Sequence, residues 1–157
     1  MKKMALIALC TFMSVPVFAN NVNCTGNISN KTIHGNVNVS NQCSLINVKV
    51  DGNVSVQNNA ILTLKNSQVR GNLESKGSFT KVTAINNTID GNIQLSRGKV
   101  VTLNQNNVDG NVQLRNNRSS VVVKMNNIDG NLQCENNQGR PVSIKNSVNG
   151  NVQGQCR

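Results

Sequence analysis

The stretch Val108-Asp109-Gly110-Asn111-Val112 decides the fold of this chain, because versions of it occur seven times along the sequence. The glycines at its centre are 17, 19, 20, 19, 20 and 20 residues apart, which is nearly a fixed period. A period of about twenty residues is typical of a solenoid, in which each repeat forms one coil that stacks on its neighbours. The seven glycines are Gly35, Gly52, Gly71, Gly91, Gly110, Gly130 and Gly150.

One repeat is enough to predict the structure of a coil. Val112-Gln113-Leu114 alternates apolar and polar side chains, and the run 121–125 alternates in the same way. Alternation with a period of two indicates β-strands. Glycines and paired asparagines such as Asn116-Asn117 separate the runs, and both residue types tolerate positive φ at tight corners. The sequence therefore predicts an all-β fold, a single-stack parallel β-helix of about seven coils with a 19–20-residue repeat.

Equivalent positions of the repeats form columns along the predicted axis. Aliphatic residues occur two positions before and two positions after every repeat glycine, so we expect two inward stacks. An asparagine follows every glycine, and identical amides at a rung spacing of about 4.8 Å can form a hydrogen-bonded ladder. We predict that this ladder stabilises a corner; the alternative interpretation is a ligand-binding surface. Its members are Asn36, Asn53, Asn72, Asn92, Asn111, Asn131 and Asn151.

Residues 1–19 have the pattern of a secretory signal peptide. Lys2 and Lys3 precede the short apolar run 4–13, and Val17-Phe18-Ala19 offers a small-residue cleavage site. The apolar run is too short to span a bilayer core of about 30 Å, so we expect no transmembrane segment after cleavage. The sequence thus predicts export to the periplasm or the cell surface, with one solenoid domain at 20–157.

The four cysteines after the predicted cleavage site indicate two disulfides, as is usual for exported chains. Cys24 and Cys43 are 19 residues apart, about one coil, and Cys134 and Cys156 are 22 apart. Neighbouring rungs are close enough for a disulfide, whereas the other pairings would span most of the solenoid. We therefore predict Cys24–Cys43 and Cys134–Cys156, one at each end, and a monomer when both are oxidised.

The predicted domain is strongly basic. After removal of Lys2 and Lys3 it keeps 14 Lys and Arg against 6 Asp and Glu, a formal charge of +8. Such a charge attracts anionic polysaccharide or lipopolysaccharide, although it could also serve solubility alone. The domain has no Trp or Tyr on which bases could stack, so we expect no specific nucleic-acid binding. The predicted anion-binding residues lie in the longer loops: Lys76, Arg97, Lys99, Arg115, Arg118 and Arg140.

Asp90, Asp109 and Asp129 precede consecutive repeat glycines, so their carboxylates should stack at one corner. Carboxylates this close could recruit a cation or act as catalytic acids and bases. The simpler interpretation is that each aspartate caps the backbone of its own turn. We predict no cofactor and no metal site, since His34 is the only histidine and no C-x-x-C motif occurs.

With its aliphatic stacks, its asparagine ladder and its cysteines at both ends, the region 23–156 resembles the secreted parallel β-helix, or β-solenoid, proteins of bacteria. The resemblance implies the fold more than an activity, and the coil length favours the right-handed form. In size, export and Asn/Gln-rich repeats the chain also resembles curlin, the subunit of a bacterial surface amyloid.

We expect a non-enzymatic structural or adhesive protein of the cell surface or periplasm, which binds anionic glycans through its basic loops. Two other functions remain open. One is an enzyme that acts on acidic polysaccharide at the aspartate column, and the other is a curlin-like fibre subunit.

Overall fold

The computed structural model describes residues 21–157; the predicted signal peptide at 1–19 lies outside them. Within this range the chain forms twenty β-strands and no helix. In chain order the strands are β1 (Val22–Ser29), β2 (Thr32–Ile33), β3 (Val37–Ile46), β4 (Lys49–Val50), β5 (Val54–Val56), β6 (Ile61–Lys65), β7 (Gln68–Val69), β8 (Leu73–Ser75), β9 (Lys81–Ile85), β10 (Thr88–Ile89), β11 (Ile93–Ser96), β12 (Val100–Asn104), β13 (Asn107–Val108), β14 (Val112–Arg115), β15 (Val121–Lys124), β16 (Asn127–Ile128), β17 (Leu132–Glu135), β18 (Val142–Ile144), β19 (Ser147–Val148) and β20 (Val152–Gly154).

Each coil contributes one strand to each of three faces. The first face contains β5, β8, β11, β14, β17 and β20, and the second contains β6, β9, β12, β15 and β18. The long strands β1 and β3 pass from the first face to the second, so these two faces form one sheet of 13 strands. The third face is a sheet of seven strands of two residues each, from β2 to β19. The predicted β-solenoid of about seven coils is confirmed.

Three corners join these faces, and we name them by their sequence. The glycine corner holds the repeat glycines and lies between the third and first faces. The loop corner, between the first and second faces, holds the longer loops. The amide corner, between the second and third faces, holds paired polar residues such as Asn86-Asn87.

Strands pair in parallel with the equivalent strands of the neighbouring coils. Val112, for example, lies opposite Ile93 on one side and Leu132 on the other. The two predicted aliphatic columns point inward and are buried, except at the last coil, where Val148 and Val152 are only partly buried. The expectation that residues 121–125 alternate throughout was wrong at Met125, which adopts φ 52° at the amide corner and is 47% exposed.

The repeat glycines are required by close approach rather than by positive φ, which corrects the interpretation made from the sequence. Gly110 does not adopt a positive φ, but a Cβ on it would lie 2.7 Å from the carbonyl oxygen of Gly91 and 2.7 Å from Asn92 Oδ1. Real Cβ atoms do not come so close to oxygen. Glycine therefore allows the coils to stack at rung spacing at this corner.

The predicted asparagine ladder is present at the glycine corner. The Oδ1 atom of each ladder asparagine accepts the backbone N–H of the next ladder asparagine at 2.7–2.9 Å. From Asn53 to Asn111 it also accepts the side-chain amide of that residue at 3.0–3.2 Å. Each amide from Asn53 to Asn111 thus binds both the backbone and the side chain of the neighbouring coil.

A second ladder, which the sequence interpretation missed, is buried at the amide corner. Asn87, Asn106, Asn126 and the partly buried Asn146 are linked in the opposite direction, because each of the first three donates to the Oδ1 atom of the next member. Asn106 Nδ2 also donates to the Ala84 carbonyl at 3.0 Å, and the other members make the equivalent bond. This bond satisfies a strand carbonyl exposed by the turn. The same arrangement recurs in a short ladder at the loop corner, formed by Asn117, Asn137 and Gln155.

Both predicted disulfides are present. The Cα atoms are 5.7 Å apart in Cys24–Cys43 and 5.2 Å apart in Cys134–Cys156. The disulfide Cys24–Cys43 lies at a register shift between β1 and β3. The shift arises because the first coil has fewer residues than the second at the loop corner. At the other end Cys156 is buried, and Arg157 Nε donates to the Val152 carbonyl at 2.9 Å. The C-terminal residues thus cover part of the last rung.

The buried ladder yields a stability prediction. Asn106→Ala should lower the free energy of unfolding by about 3 kcal/mol, because it leaves the Ala84 carbonyl and the Asn87 amide without buried partners. Asn107→Ala is the matched control. Asn107 is the exposed neighbour of Asn106, and its replacement should change the free energy of unfolding by less than about 1 kcal/mol. Urea unfolding followed by circular dichroism measures both, and equal effects would contradict a structural role for the ladder.

Candidate functional site

The six predicted anion-binding residues all lie at the loop corner. They are carried by four consecutive coils, in the loops that follow β8, β11, β14 and β17 or, for Arg115, at the end of β14. Equivalent loops stack through backbone hydrogen bonds, such as Arg97 N–H to the Arg115 carbonyl at 3.1 Å and Arg118 N–H to the Gly98 carbonyl at 2.8 Å. We call this row of six side chains the basic edge.

Two members of the basic edge are neutralised by carboxylates. Lys76 Nζ lies 3.0 Å from Glu74 Oε2, and Arg115 Nε lies 3.1 Å from Glu135 Oε2. The second contact is electrostatic, since Arg115 Nε is not aligned for a hydrogen bond. Arg118 instead donates to Ser78 Oγ at 3.1 Å, two coils away.

Among residues 21–157, Arg97, Lys99, Arg118 and Arg140 make no ion pair. All four side chains are exposed. The structure therefore divides the six predicted residues into two that are already paired and four that are free to bind an anion.

A shallow depression of about 200 Å³ adjoins the basic edge on the first face. Arg115 lies at its rim, and Gln94 and Gln113 contribute the outward amides of neighbouring strands. Ser75 and Ser96 supply hydroxyl groups, which lie 3.5 Å apart. The depression thus places hydrogen-bonding groups beside Arg115, at the margin of the basic edge.

The structure places Asp90, Asp109 and Asp129 on consecutive coils at the glycine corner, as the register requires. All three are exposed. Each has an amide as its neighbour: Gln68 Nε2 lies 3.5 Å from Asp90 Oδ2, Asn107 Nδ2 lies 3.4 Å from Asp109 Oδ1, and Asn149 Nδ2 lies 2.8 Å from Asp129 Oδ1. Across the described part of the chain, no three His, Cys, Asp or Glu side chains are grouped as metal ligands.

Asp51 also precedes a repeat glycine, two coils before Asp90, but it has different partners. His34 Nδ1 lies 2.7 Å from Asp51 Oδ2, and Arg70 Nη1 lies 3.1 Å from Asp51 Oδ1. The contact with Arg70 is an ion pair without hydrogen-bond alignment. The hydrogen bond with His34, helped by the charge of Arg70 and opposed by desolvation, lowers the pKa of Asp51. Asp51 thus links the first three coils through a hydrogen bond with His34 and an ion pair with Arg70, a pairing that the order His34, Asp51, Arg70 could have suggested.

The asparagine ladder at the glycine corner has little capacity left for a ligand. Its Oδ1 atoms from Asn36 to Asn131 all accept hydrogen bonds from the next coil. This favours the predicted structural role. A groove at the amide corner was not predicted, although Asn30, Asn47, Asn66 and Asn86 recur there at intervals of 17, 19 and 20 residues.

No protein-family model matches this chain, and neither a curated protein nor a solved structure shows significant similarity to it. From residue 21 onward the structure contains no helix long and apolar enough to cross a membrane. The function must therefore be inferred from the geometry of the chain itself.

The Asp51 network predicts a pH dependence of stability. Because the carboxyl has a lower pKa in the folded protein, its stabilising contribution is present above its unfolded pKa of about 3.9 and is lost as the pH falls through the folded value. Asp51→Asn should therefore lower the melting temperature at pH 6, and the difference from wild type should shrink towards pH 2. Asp109→Asn, which removes a carboxylate with an amide partner, is the control. A difference for Asp51→Asn that is equal at both pH values would contradict the assignment.

Proposed function

We propose that this protein is an exported, non-enzymatic solenoid of the periplasm or cell surface, where it binds anionic glycans in a structural or adhesive role. The observation that carries the proposal is a set of four cations on three consecutive coils of the basic edge that make no ion pair with any residue of the described range 21–157: Arg97, Lys99, Arg118 and Arg140. Export is supported by the signal-like sequence at 1–19 and by the two disulfides, which persist in oxidising compartments.

The stacked coils suit a linear polyanion. Neighbouring coils are separated by about 4.8 Å, so cations carried by consecutive coils at one corner follow the solenoid axis. A polysaccharide that follows this axis can place successive anionic groups near successive coils. The hydroxyl and amide groups of the adjoining depression supply hydrogen bonds to the sugar.

The proposal predicts charge-dependent binding at one corner. Dextran sulfate should bind the wild-type protein while neutral dextran should not, and added salt should weaken the binding because exposed charges are screened. Arg97→Gln with Lys99→Gln should weaken binding at least tenfold, as measured by isothermal titration calorimetry. The matched control is Lys124→Gln with Lys145→Gln, which removes the same charge from the second face and the amide corner, away from the basic edge. Equal weakening by both pairs would show that net charge alone is responsible and would contradict a site at the basic edge.

A further inference from the structure

A polar groove runs along the amide corner over the first four coils, with a volume of about 770 Å³. One wall is a column of exposed asparagines with positive φ, and the other is the outward column of the third face. The buried residues Val48 and Ser67 contribute to its floor. The remaining lining residues are Asn30, Lys31, Thr32, Asn47, Lys49, Asn66, Gln68, Asn86 and Thr88.

The groove is limited to these coils because the asparagine column ends. The next residues with positive φ at this corner are Gln105, Met125 and Lys145, whose side chains are longer. Four coils at rung spacing correspond to a length of about 14 Å. This length accommodates a short oligosaccharide that lies along the axis.

The amides of the groove are paired at both ends but not in the middle. Asn47 Nδ2 donates to Asn30 Oδ1 at 2.6 Å, and Asn86 Nδ2 donates to Asn66 Oδ1 at 2.8 Å. Asn47 and Asn66, on neighbouring coils, make no hydrogen bond with each other. Among residues 21–157, Asn47 Oδ1 accepts no hydrogen bond and Asn66 Nδ2 donates none, so neighbouring coils present a free acceptor and a free donor. A sugar hydroxyl both donates and accepts hydrogen bonds, so it can bridge this gap.

Two lysines provide charge at one end of the groove. Lys31 and Lys49 lie on adjacent coils, where Lys49 N–H donates to the Lys31 carbonyl at 2.9 Å. Neither ammonium group forms an ion pair within residues 21–157. The carboxylate of the same coil, Asp51, is occupied by His34 and Arg70. The lysines can therefore bind a carboxylate of a ligand.

We propose that this groove is a second glycan site, which binds an oligosaccharide of uronic acids through the free amides of Asn47 and Asn66 and the ammonium groups of Lys31 and Lys49. The site is at a different corner from the basic edge and does not depend on it. It binds through hydrogen bonds and charge, without an aromatic platform. We expect a dissociation constant on the order of 1 mM or below, which NMR titration can measure.

The test is a titration of the ¹⁵N-labelled protein with α-1,4-linked tetragalacturonate, with maltotetraose as the neutral probe of similar length. Tetragalacturonate should shift the side-chain amide signals of Asn47 and Asn66, and maltotetraose should shift them at least tenfold more weakly at equal concentration. Asn47→Gly with Asn66→Gly removes both amides while it keeps positive φ accessible, and it should weaken binding at least fivefold. Lys31→Gln with Lys49→Gln should weaken it at least tenfold.

Two controls separate this site from the basic edge. Asn116→Gly also replaces an exposed asparagine with positive φ, but at the loop corner. It should leave the affinity for tetragalacturonate unchanged. Arg97→Gln with Lys99→Gln should not change the shifts that tetragalacturonate induces in the side-chain amide signals of Asn47 and Asn66, even though this variant loses dextran sulfate binding. Shifts confined to the basic edge, or equal affinities for the wild type and both groove variants, would overturn the proposal without affecting the first site.

Discussion

The structure depends on the hydrogen bonds by which corner amides join one coil to the next. Strand pairing stops where the chain turns, so the corners would leave backbone groups without partners. At the amide corner Asn106 satisfies the Ala84 carbonyl, the Asn87 backbone and the next ladder amide at once. The short ladder at the loop corner does the same, and the ladder at the glycine corner joins the backbone and side-chain amides of neighbouring coils. The stack of coils is therefore continuous in hydrogen bonding as well as in its aliphatic core.

This continuity separates the residues that hold the fold from those that can bind a ligand. The residue types of the inward columns and of the ladder amides are constrained by the coils above and below, with which they pack or form hydrogen bonds. The side chains of the outward columns are not constrained in this way. The outward positions of the loop corner carry cations, and those of the amide corner carry asparagines and lysines. Because equivalent positions repeat at rung spacing, each surface presents a row of similar groups that matches a linear polymer better than a compact ligand.

Much of the fold could be predicted from the sequence, because each structural role recurs at a constant interval. The seven glycines fixed the coil length, and the spacing of Cys24 and Cys43 selected their pairing. The buried ladder was missed because Asn106 and Asn107 are the same residue type with opposite orientations. The ion pairs of Lys76 and Arg115 were also missed, since they depend on which side chains meet at the loop corner.

Hydrogen exchange of the asparagine side-chain amides tests the role of the ladders most directly. In a buried and fully paired ladder, the side-chain NH₂ groups of Asn87, Asn106 and Asn126 can exchange only when the corner opens. We predict that they exchange at least about a hundredfold more slowly than those of the exposed Asn107 and Asn127, as followed by NMR in D₂O. Exchange at the same rate in both groups would contradict the account, because the coils would then be held together by strand pairing alone.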